Sequence, residues 1–204
     1  AGAFLREEVA ARLRDRLADM KRAFTQITDV GAQAGFAGAA CVSEVCPPWL
    51  DPTKHQAHTS PYDLGLKESA SDLVVSNLTL HSHNDPVGTL IQIRRHLKPD
   101  GLFMGALFGG ETLHELRHSL LAAEAEITGG AHMRVAPFGD VRDLGGLLGR
   151  AGFALPVADQ DRITVTYAHP LALLADLRAM GETNSLAQRP RTSLRKRVLM
   201  RMAE

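Results

Sequence analysis

Residues 71–110 read SDLVVSNLTLHSHNDPVGTLIQIRRHLKPDGLFMGALFGG. Leu73, Val74 and Val75 make a short apolar run, as in a strand covered on both faces. Asn77, Thr79, His81, His83, Asn84 and Asp85 then crowd polar groups just past its carboxyl end. In an open α/β sheet that edge is where ligands bind. Leu90, Ile93 and Leu97 recur at helical spacing, with Arg94, Arg95 and Lys98 left for solvent. Lys98-Pro99-Asp100-Gly101 should stop the helix, since the residue before proline avoids the α region and Gly101 tolerates positive φ. Leu102 to Phe108 follows as the next strand, closed by Gly109-Gly110.

Outward from this unit, 204 residues suffice for one domain with a substantial core. Apolar residues are 45% and charged residues 23%, which places the chain among ordinary globular proteins. Formal net charge is zero, so there is no overall electrostatic case for nucleic acid or an acidic membrane as partner. No apolar run approaches the roughly 18 residues of a membrane span. The opening AGAFLREEVAARLRDRL lacks the architecture of a signal peptide. Two cysteines, Cys41 and Cys46, argue against a disulfide framework and fit a reducing cytoplasm. His55 and His58 complete a zinc set with them on paper, but the usual C-x-x-C and H-x-x-x-H spacings are absent. Two small buried side chains is the plainer account, and no metal is expected.

Phe4 to Phe24 carries Val9, Leu13, Leu17, Met20 and Phe24 on one helical stripe. Thr112 and Glu115 suit a capping box for a helix running to Gly129-Gly130. Val141 to Arg150 is a further helix with Leu144, Leu147 and Leu148 inward, stopped by Gly152. Val157 to Tyr167 reads as two edge strands, with RITVTY alternating as an antiparallel partner would. Pro170 to Met180 is helical. Ser193 to Glu204 is a basic amphipathic helix, either a solvated terminal helix or a surface for RNA or protein.

DLVVSNLTLH and LKPDGLFMGALFGGETL resemble the fourth and fifth strands of class I S-adenosylmethionine-dependent methyltransferases. Within that superfamily they resemble the group that takes in mitochondrial complex I assembly factor 5 and its bacterial relatives. The malonyl-carrier-protein methyltransferases of biotin synthesis are more distant. The likeness runs from Ser71 to about Leu186. It implies an α/β, Rossmann-like domain over 1–186, with a mostly parallel central sheet, helices on both faces and an antiparallel C-terminal edge. Residues 187–204 would then be a basic tail helix.

The resemblance also implies a cofactor, S-adenosylmethionine, and residues to hold it. ITDVGAQAGFAG sits where the family has a strand, an acidic residue and a glycine-rich turn. Asp29, Gly31 and Gly35 match its D-x-G-x-x-x-G spacing, while Gln33 stands where a middle glycine is usual. Glycines let backbone approach the ligand closely, and a carboxylate can hold its ammonium. Asp51 is the candidate for the ribose hydroxyls and Asp63 for the adenine side, although both also suit turn caps. Asn77 is the candidate on the rim. His81 is the candidate general base, or else a loop histidine beside the Asp85-Pro86 helix start. Implied acceptors are a small molecule or a protein side chain. In the complex I assembly branch the implied chemistry is arginine hydroxylation, so the fold alone does not settle the reaction. The contrasting reading is an assembly or binding module with a degenerate cofactor site.

Overall fold

A computed structural model describes residues 4–31, 41–45, 64–184, 186 and 188–204, with backbone only for 41–45. The described chain divides into two compact units, one of residues 4–108 and 140–159 and the other of residues 109–139 and 160–204.

The first unit holds the sheet. Strands β1 (Ile27–Val30), β2 (Cys41–Val45), β3 (Ser71–Asn77) and β4 (Leu97–Ala106) are parallel, in the order β2-β1-β3-β4. Strand alternation sorts the core. Leu73 and Val75 of β3 face helix α1 (Phe4–Ala18), against Ala10 and Leu13. Val74 points the other way, toward Leu90 and Ile93 of helix α2 (Pro86–His96) and Val30 of β1. On β4, Leu102 and Met104 join the α1 side and Phe103 the α2 side. Each fully buried Leu, Ile or Val contributes roughly 1.5–3 kcal/mol, which is why β3, covered twice, reads as a continuous apolar run. Helix α4 (Val141–Arg150) adds Leu147 and Leu148 to the α2 layer, and Gly152 ends it at φ +85°.

The α/β, Rossmann-like reading with a parallel sheet and helices on both faces holds, and several local expectations change. The residue with positive φ in Lys98-Pro99-Asp100-Gly101 is Asp100, at +63°, not Gly101. Gly101 is needed instead for space, because a Cβ there would lie 2.9 Å from the Lys98 carbonyl oxygen and from Leu97. The turn is also absorbed into β4: Ser71 pairs with Leu97 and Leu73 with Leu102, so the extra residues bulge from the strand. Helix α1 ends at Ala18, short of Phe24, yet Phe24 still packs on the same face. The strand beside β1 is Cys41–Val45, before the Cys-Pro-Pro run.

The antiparallel C-terminal edge does not form from Val157–Tyr167, which has no regular structure and leaves Val157 84% exposed. Alternation supplies a strand's side chains but not a partner for its backbone.

In the second unit, helix α3 (His114–Thr128) carries Leu116, Leu120 and Ala123 inward. The Thr112–Glu115 capping box is not made. The N-cap is Leu113, at φ +56° and without a side-chain cap. Gly129 terminates α3 in the left-handed region. Helix α5 spans Pro170–Ala179. Helix α6 (Lys196–Met202) packs on α3 with Val198 and Met202 buried, and Arg201 bonds Glu126 at 2.9 Å.

Candidate functional site

The chain leaves β1 for β2 on one side, then crosses to β3 on the other. The order therefore reverses between β1 and β3, and the crevice outside their carboxyl ends is the topological switch point. Asp29, Val30 and Gly31 end β1 there. Asn77, Leu78 and Thr79 end β3 there.

Asp29 is 2% exposed and aligned with Glu44 on β2. Gly31 has φ +91°, and a Cβ on it would overlap the Thr79 side chain. Two independent demands thus select glycine at 31: backbone conformation and close approach. The Thr79 hydroxyl donates to the Asn77 carbonyl at 3.1 Å and reaches the Gly31 carbonyl at 3.5 Å, tying the two strand ends together. Leu78 is held at φ +50°, with its N–H bonded to the Ala106 carbonyl at 2.9 Å. A non-glycine residue in that region costs on the order of 1 kcal/mol or more, and such strain gathers at functional loops.

The polar residues after β3 form a tightly cross-linked turn. Leu80–Ser82 is one turn of 3₁₀ helix, and Ser82 Oγ donates to the Thr79 carbonyl at 2.8 Å. His81 stacks at a tilt on Phe108, with ring centroids 4.7 Å apart. His83 is buried, with Nδ1 2.9 Å from the Thr89 hydroxyl. Burial, with His81 nearby as a lesser cause, pushes the His83 pKa down to about 4. Asp85 caps α2 through the Gly88 N–H at 2.8 Å. So His81 lies between the loops that leave β3 and β4, while His83 is a neutral packing residue.

Asn77 turns toward helix α1. Its Nδ2 donates to the Arg6 carbonyl at 2.9 Å, and its buried Oδ1 has no hydrogen-bond partner among the described residues. Gly35, Asp51 and Asp63 lie outside the described residues, as do Gln33, Cys46, His55 and His58. Glu44 stands near the carboxyl end of β2, in the alternating run CVSEV.

A second polar cluster sits at the opposite edge of the sheet. Thr28 Oγ1, Ser71 Oγ and His96 Nε2 lie 2.8–3.0 Å from one another, and His96 Nδ1 donates to the Lys67 carbonyl. Ser beside His suggests a nucleophile and base, but this group is buried at the amino ends of β1 and β3. It joins the segment entering β3 to α2.

In the second unit, buried Glu124 of α3 accepts from Arg134 Nη2 at 2.7 Å and from the His132 N–H at 2.8 Å. Burial raises its pKa, but the bonds from Arg134 and His132 outweigh this and hold it below the ordinary glutamate value. The segment after α3 is thereby fastened to its helix.

This fold and switch point define a Rossmann-like α/β domain. A SAM-dependent methyltransferase of Thermotoga maritima, described as a possible histamine N-methyltransferase, superposes with a TM-score of 0.51 at 18% identity, over 74% of this chain and 75% of its own. Residues 18–105 match the family described as "Methyltransferase domain". The arginine-hydroxylase NDUFAF5 of Homo sapiens, a mitochondrial protein, is 41% identical over 89% of this chain, and that of Danio rerio 40% over 89%. The malonyl-[acyl-carrier protein] O-methyltransferase of Halorhodospira halophila is 34% identical over 93% of this chain and 68% of its own length. The chain belongs to the methyltransferase family that includes these proteins. It spans 57% of the human relative's length. Among the described residues no helix is long and apolar enough to cross a membrane.

Proposed function

We infer that the protein is an S-adenosylmethionine-dependent methyltransferase whose acceptor is a protein side chain or a small molecule. The observation that carries this reading is the switch point, with Asp29-x-Gly31 at the end of β1 and the Thr79–His81 turn at the end of β3. The donor set there suits the cofactor's chemistry. Asp29 and Glu44 stand level on adjacent strands, one acid for an ammonium and one for vicinal hydroxyls. By its register beside Asp29, Glu44 is a second candidate for the ribose hydroxyls alongside Asp51, and Gly35 and Asp63 complete the set as proposals from family spacing. Asn77, spent on Arg6, shapes the rim by holding α1 to β3.

When bound, the cofactor supplies a methyl group on a positively charged sulfur. The protein's own task is alignment and proton management. The Gly31–Thr79 contact fixes the spacing of the two strand ends. His81, pinned by Phe108, is the group we assign to take a proton from the acceptor. A reducing, cytoplasmic setting remains part of this reading, on the sparse cysteine content.

Identity with proteins named arginine-hydroxylase favours a second reading, in which the same site serves arginine hydroxylation. Calorimetry with S-adenosylmethionine and S-adenosylhomocysteine tests the first. Micromolar binding, weakened at least about tenfold in Asp29→Asn and Glu44→Gln, supports it. A folded protein that binds neither ligand at about millimolar concentration sinks it in favour of a binding module. With an arginine-containing peptide, the mass gained by the product separates methyl from oxygen.

A further inference from the structure

We propose that the exposed arginine cluster of residues 189–197 is a docking surface for an acidic segment of a partner protein. Residues 188–204 hold six of the 23 basic residues and one of the 23 acidic ones. Arg189, Arg191, Arg195, Lys196 and Arg197 are all exposed. Three other arginines of the same unit are matched: Arg134 with Glu124, Arg162 with Glu111, Arg201 with Glu126 and Glu204. Among the described residues, Arg191, Arg195, Lys196 and Arg197 have no carboxylate partner. Like charges within nine residues of chain repel one another, and an external anion relieves that repulsion.

The identity of the anion follows from what the cluster lacks. A membrane-bound amphipathic helix needs a free apolar face. Val198 and Met202 of α6 are already buried, and α6 packs on α3. Single-stranded nucleic acid needs aromatic platforms for its bases, and 188–204 contains no Phe, Tyr or Trp. A long polyanion would also meet the rest of the chain, where acidic residues outnumber basic ones. A short carboxylate-bearing segment meets only the cluster. Four of its five cations are arginines, whose planar fork pairs bidentately with carboxylates. The surface is independent of the reaction assigned above and of the cofactor.

The test is fluorescence anisotropy at about 20 mM salt, where surface charges are weakly screened. The probes are a labelled helical peptide of about ten residues rich in Glu, a DNA duplex of similar charge, and phosphatidylserine vesicles. The expected result is saturable peptide binding that fades with added salt. It should weaken about tenfold or more in R191E/R195E/R197E and persist in R142E/R150E, which reverses two exposed arginines of α4. R191Q/R195Q/R197Q, which adds no repulsion, should also weaken it, with circular dichroism and melting temperature unchanged. Equal binding by wild type and triple variants, tighter binding of the duplex or the vesicles, or no peptide binding would each overturn the proposal.

Discussion

Gly31 is the residue on which the site's geometry turns most directly. Its φ of +91° and its contact with Thr79 leave no room for a side chain. Gly31→Ala should cost about 2–4 kcal/mol, combining left-handed strain with overpacking, and urea denaturation measures it. His83 makes a different kind of prediction. Its folded pKa of about 4 lies below the ordinary 6.5, so the unfolded chain takes up the proton first. The associated stability is fully present above about pH 6.5 and is lost as pH falls toward 4. The loss should approach about 3 kcal/mol, and His83→Gln should flatten the pH dependence of the melting temperature across that window.

At the scale of elements, the decisive contacts join loops to the elements beside them. Glu124 clamps the segment after α3 through Arg134 and His132. Arg134→Ala leaves a buried carboxylate without its cation and should cost about 3 kcal/mol by denaturant titration. Because the folded pKa of Glu124 is depressed, its contribution is present above the ordinary glutamate value of 4.5 and is lost as pH falls through the folded one. Glu124→Gln should remove that acid-labile part. Asp72 does comparable work at the start of β3. Burial raises its pKa, but bonds from the Thr25 and Gln26 N–H groups and the Thr25 hydroxyl together lower it overall. These bonds tie the lead-in of β1 to β3 before either strand reaches the site.

For the molecule as a whole, ligand binding and local stability are linked. A cofactor held at the ends of β1 and β3 binds only the folded sheet. It should raise stability by about 2.7 kcal/mol at a hundredfold excess over its dissociation constant. Hydrogen exchange should then show slowed amides in β1, β3 and the 78–85 turn, with smaller effects in α3, α5 and α6. Uniform slowing across both units would contradict a site confined to the switch point.

The parallel α/β fold was legible in the chain because its signals are local and redundant. Leu73 to Val75 is apolar at every position, Leu90, Ile93 and Leu97 keep helical spacing, and Asp85-Pro86 marks a helix start whatever surrounds it. Gly31 was legible too, as a glycine after an acid. Its partner Thr79 was not, since the two stand 48 positions apart and meet only where two strands end. The same limit explains the other departures. RITVTY alternates as a strand should, yet a strand exists only when another backbone accepts its hydrogen bonds. Thr112 and Glu115 have the chemistry of a capping box, but Leu113 occupies the cap. Asn77 donates its amide to the Arg6 carbonyl, a partner 71 positions away. Sequence by itself determined which segments are apolar and at what period, and hence the class of fold. Only tertiary structure decided which polar groups are spent on one another and which stand at the switch point, because hydrogen bonds are short and the chain between their partners is long.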